Sequence, residues 1–209
     1  MIEEQLPDSS PAAVAQWARS ARRARDNPSM SSALVLTGAP GSGKSSVLDA
    51  LSTLLEIDGV PFGAIESEEL ARGLPWLATS EWLRQLAAVI GLQRDAGREL
   101  LLVVATTETQ GALEGVIDAI SADDLVVVCL SSSPNVVAER IANREPDAWP
   151  GKGALIAHAR ELAESVPAIA GIDVVLDTDG RLAADVAADV RDVLGKRGML
   201  TTRDRHTLG

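Results

Sequence analysis

Cysteine occurs once in the 209 residues, at Cys129. That excludes an intrachain disulfide framework and a cysteine-rich zinc site. No run of about 18 apolar residues exists, so no segment reads as a membrane-spanning helix. Basic residues are few, 19 against 30 acids, and the formal charge of −11 argues against a surface that clings to nucleic acid or anionic lipid. Lysine is rarer still: Lys44, Lys152 and Lys196 are the whole complement. The arginine skew, with abundant Ala and Val, reads as genome composition rather than function. The first thirty residues mix charge with Ser and Pro and lack the apolar core of a signal peptide. A soluble, cytoplasmic protein is expected. What the chain does have is length and apolar content, 46% hydrophobic, enough for one domain with a sizeable core.

Three regions are expected. Residues 1–32 read as an N-terminal helical arm, with Ser10 as N-cap, Pro11 at the first helical position, and Val14, Trp17, Ala18 and Ala21 at helical spacing over 11–25. Arg19, Arg22, Arg23 and Arg25 on that arm form either a solvated face or a surface for an anionic partner. Residues 33–196 read as the main domain, and 197–209 as a flexible tail. Within the domain, short apolar runs at 33–37, 61–66, 100–105, 125–130 and 173–176 alternate with helical patterns at 44–55, 80–95, 110–120, 134–143, 153–165 and 182–194. The runs are continuous rather than alternating, as in strands buried on both faces, so the pattern predicts an α/β parallel sheet covered by helices on both sides.

Gly38-Ala39-Pro40-Gly41-Ser42-Gly43-Lys44-Ser45 fits G-x-x-x-x-G-K-[ST] at every fixed position, and Ser46 follows it. The context agrees, because a hydrophobic strand runs into the loop and an amphipathic helix leaves it. Glycines let backbone amides converge on phosphate oxygens, and the helix start adds its positive dipole end. Lys44 then reaches the β- and γ-phosphates, and the Ser45 hydroxyl is placed to bind Mg²⁺. The guanine-reading N-K-x-D of a GTPase is absent. The run 100–105 ends in Thr106-Thr107-Glu108 with no acid at its tip, which weakens a hydrolytic motor reading and favours transfer to a bound acceptor.

Over roughly residues 34–194 this layout resembles small-molecule kinases of the nucleoside-monophosphate-kinase-like P-loop group, which includes shikimate, gluconate and chloramphenicol kinases. It is similar also to uncharacterised ATP-binding, kinase-like proteins of the same size. Beyond the P-loop, the matching residues are Ile65-Glu66-Ser67-Glu68-Glu69-Leu70, Pro75-Trp76, and Arg140 with Arg144. The resemblance implies a P-loop NTPase fold with five parallel strands in the order 2-3-1-4-5. It places Glu66 at the end of the second strand, facing the acceptor hydroxyl as its proton acceptor. The group usually has Asp there, often Asp-x-Asp, so Glu66-x-Glu68 departs from it and leaves open which acid is the base and which holds Mg²⁺ through water.

By the same resemblance Arg140 and Arg144 belong to a lid over the triphosphate near 140–153, unless they merely pair with Glu139 or Glu145. Asp177 and Arg181 fall in the adenine-contacting loop, and Arg72 and Trp76 in the acceptor segment. Trp82, in contrast, reads as core beside Leu83, Leu86 and Ile90, and Cys129 as a buried small hydrophobe. The expected activity is transfer of the γ-phosphoryl of ATP, with Mg²⁺, to a small-molecule hydroxyl, with Lys44, Glu66, Arg140 and Arg144 as catalytic groups. The alternatives are a nucleotide-binding regulator or slow ATPase without an acceptor, and an interaction protein that uses the basic arm.

Overall fold

The computed structural model describes residues 31–200. The helix expected over 11–25, its four arginines, and residues 201–209 lie outside the described residues. Five strands, β1 (Ser32–Thr37), β2 (Phe62–Glu66), β3 (Leu100–Val104), β4 (Asp124–Ser131) and β5 (Val174–Asp177), pair in parallel in the order 2-3-1-4-5. Parallel neighbours need crossovers, which are supplied by helices α1 (Lys44–Asp58), α2 (Ser67–Leu70), α3 (Thr79–Asp95), α4 (Gln110–Ile120), α5 (Pro134–Arg144) and α6 (Lys152–Ser165), and α7 (Ala183–Lys196) follows β5. No helix among the described residues is long and apolar enough to cross a membrane.

The continuous apolar runs are explained by a sheet covered on both faces. Successive side chains alternate between faces. Leu34, Leu36, Leu100, Leu102, Val126 and Val128 pack on α1 and α7 through Leu51, Leu55, Val190 and Leu194. Their alternates Ala33, Val35, Leu101, Val103 and Val127 pack on α3 and α4 through Leu86, Ile90, Leu113, Val116 and Ile120. Burying each large side chain stabilises the fold by about 1.5–3 kcal/mol, and the polar side chain buried in β1, Thr37, is bonded to Thr107 at 2.7 Å. A third cluster seats α5 and α6 against Cys129 and the P-loop residue Ala39 through Val137, Ile141, Ala159 and Leu162. Burial pushes the Cys129 thiol up to about 11, as befits an inert core residue.

The element ends have local causes. Gly59, in the left-handed region, closes α1 by returning its amide to Glu56 and Leu55. Glu81 Oε2 accepts from the Ala78 amide at 3.1 Å to start α3, and Thr109 accepts from the Ala112 amide to start α4. The packed chain runs past Lys196, since Met199 is buried in the α1–α7 cluster.

Candidate functional site

All five strands point their C-terminal ends at one edge, where ligands of open α/β sheets sit. Residues Leu36, Val104 and Glu66 stand in one row there, on β1, β3 and β2. With strands about 4.8 Å apart, Glu66 lies roughly 10 Å across the sheet from the P-loop strand. A cavity of about 640 Å³ opens at this edge between the P-loop and α2.

The loop that floors the cavity is held by glycine. Gly38, Gly41 and Gly43 all have positive φ. A Cβ on Gly38 would lie 2.4 Å from the Leu130 carbonyl oxygen, and one on Gly41 would lie 2.9 Å from that of Val137, so β4 and α5 clamp the loop from behind. In front of Gly43 there is open space. Gly43 caps α1 without a side-chain hydrogen bond, and the first turn of α1 carries no acid. Its leading amides are therefore open to an anion.

Lys44 is 9% exposed, and its Nζ donates to the carbonyl oxygens of Gly38 at 2.9 Å and Ala39 at 3.1 Å. Burial pushes its ammonium below the usual lysine range, while Glu68 and then Glu66 pull it back. Such a buried cation, held only by loop carbonyls, fits phosphate oxygens as its stronger partners. Ser45 and Ser46 line the same cavity. Among the described residues no cluster of His, Cys, Asp or Glu could cage a metal ion.

Arg140 is fixed rather than free. Its guanidinium donates to Thr178 O at 2.8 Å, Thr178 Oγ1 at 3.0 Å and Gly41 O at 3.2 Å. The buried Thr178 hydroxyl in turn donates to Ser42 O at 3.1 Å. Arg140 thus ties the P-loop to the end of β5, and it lines both the main cavity and a second one of about 270 Å³ behind the P-loop. Arg144 lines the main cavity with its Nε 2.8 Å from Glu145 Oε1, the local pairing that the sequence left open.

The loop beyond it is stapled by Lys152, whose Nζ donates to Ala142 O, Glu145 O and Asp147 Oδ1 at 2.6–2.8 Å. Helix α6 is also tethered to the turn after β3, where His158 Nε2 lies 2.8 Å from Glu108 Oε1.

Across the cavity, the β2 tip and α2 present Glu66, Glu68 and Glu69. Glu68 Oε1 accepts from the Thr106 amide at 2.5 Å. A carboxylate therefore does stand at the tip of β3, delivered from α2 rather than by β3 itself. Trp82 Nε1 donates to Ser67 O at 2.7 Å and anchors α2 to α3, consistent with a core role for Trp82.

Residues 12–64 match the family model described as the P-loop containing region of AAA domain. That stretch ends before Glu66 and says nothing of the acidic wall. No curated protein matches the chain by sequence. Solved structures do match its fold. The APS kinase of Mycobacterium tuberculosis, in complex with AMPPNP and APS, is similar at 26% identity and TM-score 0.54, over 80% of this chain and 99% of that one. A gluconokinase from Sinorhizobium meliloti 1021 is similar at 24% and 0.52, over 80% and 97%. A sugar kinase from Janibacter sp. HTCC2649 is similar at 18% and 0.53, over 78% and 95%. The chain has the P-loop small-molecule-kinase fold.

Within that fold, the sequence-expected residues fall into two groups. Lys44, Ser45, Ser46, Glu66, Arg72, Arg140 and Arg144 line one cavity. Arg72 does so while bonded to Glu69 Oε1 at 2.5 Å. Trp76 does not line it: it stands 80% exposed beside the equally exposed Leu74. Arg181 lines the smaller cavity, whereas the Asp177 carboxylate turns to the Asp179 amide at 3.1 Å.

Sequence reasoning missed Thr178, which sits between two named residues and bonds both Arg140 and the P-loop. It missed Asp179 too. Partial burial raises the Asp179 carboxyl, but hydrogen bonds from Ser132 and Ser133, with Arg140 nearby, hold it below the usual carboxylate range. A hydroxyl directly at a strand's C-terminal end was the available signal for Thr178.

Proposed function

We propose that this protein transfers the γ-phosphoryl group of Mg·ATP to a hydroxyl of a small molecule. The observation that carries this reading is a single cavity with a phosphate-binding loop as its floor and an uncommitted carboxylate, Glu66, on the opposite wall. The Glu66 carboxylate makes no hydrogen bond or ion pair among the described residues, and so is available to a substrate.

In the reaction, the acceptor oxygen forms a bond to the γ-phosphorus as the bond to the ADP oxygen breaks. The acceptor proton passes to Glu66, and the electron pair of the broken bond leaves with ADP. Lys44 and the loop amides hold the β- and γ-phosphates, and Arg144, on leaving Glu145, neutralises the transferring group. Ser45 holds Mg²⁺, which when bound offsets phosphate charge. Arg140 acts from a fixed position and keeps the loop in its phosphate-ready shape. The base of the nucleotide occupies the smaller cavity between Arg181, Leu182 and Thr178.

Binding of ATP and GTP by calorimetry, followed by ADP release with a metabolite library, tests the proposal. Tighter ATP than GTP binding, and ADP release stimulated by an acceptor, are expected. Steady ADP release that no acceptor stimulates would instead support a slow ATPase or regulator.

A further inference from the structure

The two sides of the cavity carry opposite charge. Its floor and lid side present Lys44, Arg140 and Arg144. The acceptor wall presents three carboxylates, Glu66, Glu68 and Glu69, against one guanidinium, Arg72. That guanidinium is already bonded to Glu69 at 2.5 Å. Every cation lining the cavity has such a commitment: Lys44 to loop carbonyls, Arg140 to Thr178 and Gly41, Arg144 to Glu145. Lys44 and the arginines other than Arg72 also lie where the triphosphate is to sit. The cations are thus claimed by phosphate or, for Arg72, by Glu69, whereas the Glu66 carboxylate and the second carboxylate oxygens of Glu68 and Glu69 carry no bond among the described residues.

We infer that the acceptor is a hydroxylated amine, a small amino alcohol or amino sugar whose ammonium group is held by Glu68 and Glu69 while its hydroxyl meets Glu66. The inference rests on the phosphoryl-transfer reading and names the substrate class of that same site. Glu66, at the end of β2, and Glu69, on α2, line the same cavity, so one small molecule can reach both. An acceptor bearing carboxylate, sulfate or phosphate would bring like charge against three acids and beside the triphosphate, an arrangement that rejects it. An ammonium group gains where a neutral hydroxyl does not, because the triphosphate competes with Glu66 and Glu68 for the charge of Lys44 and leaves the wall more negative. Arg72, largely exposed, trims that charge without cancelling it.

The test uses the full chain saturated with Mg·AMPPNP for melting and with Mg·ATP for ADP release. The probes share carbon skeletons where possible: glucosamine, glucose and gluconate; ethanolamine, ethylene glycol and glycolate; and kanamycin as a larger amine. Saturable melting shifts and stimulated ADP release are expected from members of the amine arm, at half-saturating concentrations at least about tenfold below their neutral counterparts. Glu69→Gln is expected to weaken the responding amine roughly three- to tenfold, because the contact is exposed. Arg72→Gln is expected to tighten it.

A response led by gluconate or glycolate overturns the inference and leaves the kinase reading standing. So does equal response to the amine and its neutral counterpart, or silence of the whole amine arm while Mg·AMPPNP itself raises the melting temperature. If Mg·AMPPNP does not raise it, the kinase reading falls first and takes this inference with it.

Discussion

The floor of the cavity and its acceptor wall are built on different terms. The floor is held from behind by backbone: Gly38 and Gly41 leave no room for a side chain, Ala39 enters a hydrophobic cluster, and Arg140 and Thr178 lace the loop to the far end of the sheet. The wall stands on a four-residue helix and an exposed loop. Two cross-links steady it, Trp82 to Ser67 and Glu68 to Thr106. Phosphate is common to every reaction of this kind, so its binding can be made rigid. Acceptors differ, and the wall proposed to read them sits where change disturbs little of the core.

That comparison breaks most visibly at Glu66. Glu66→Gln keeps the shape but cannot take a proton, so turnover is expected to fall about 10²–10⁴-fold with ATP affinity unchanged. Weaker Mg·ATP binding in this variant would move Glu66 from the wall to the metal.

At Gly38 the expected damage is to the floor and to the fold together. Gly38→Ala puts a Cβ at a positive φ against the Leu130 carbonyl oxygen, and a loss of about 1–3 kcal/mol in denaturant titration is expected.

Lys44 separates binding from stability. Charge-assisted contacts contribute about 1.5–3 kcal/mol, so Lys44→Ala is expected to weaken ATP roughly tenfold or more in calorimetry. Burial lowers the folded pKa of Lys44 below 10.5, so the unfolded chain keeps this proton to higher pH. The wild-type chain therefore gains stability as pH rises from the lowered value toward 10.5. A Lys44→Met variant, freed of a buried ammonium, is expected to melt higher without nucleotide and to lack that gain. Parallel melting curves for the two proteins across alkaline pH would contradict the sign.

Smaller effects are expected at the edges. Lys152→Met removes three bonds across the loop after α5. Hydrogen exchange over residues 142–152 should quicken in that variant and slow in the wild type on adding Mg·ATP. Trp76→Ala, at an exposed position outside the cavity, should leave melting unchanged while altering acceptor response if the loop folds over its substrate.

Much of the fold was legible because burial on both faces writes itself into continuous Val and Leu runs, and the P-loop carries its mechanism in consecutive residues. Strand ends were therefore found within a residue or two, and Lys44, Glu66 and Arg140 meet at one cavity. Helix α2 was not legible, because four residues are too few to show a period. Nor were the contacts of Glu68 with Thr106, 38 residues apart, or of Arg140 with Thr178, also 38 apart. Such pairs are set by the sheet's strand order, and no local pattern encodes them. The same reason explains why Asp177 faces away while its neighbour Thr178 faces in: that choice belongs to the turn after β5.

Arg140 borders both cavities, so a molecule in one and a molecule in the other draw on the same guanidinium. Their affinities are then linked, and linkage is reciprocal: whatever factor an occupant of the 270 Å³ cavity confers on an occupant of the 640 Å³ cavity is returned in equal measure. In the complex proposed above, a nucleotide fills both at once and hides this relation. Split into a base fragment and a phosphate fragment, it becomes a measurable cooperativity with its origin in one side chain.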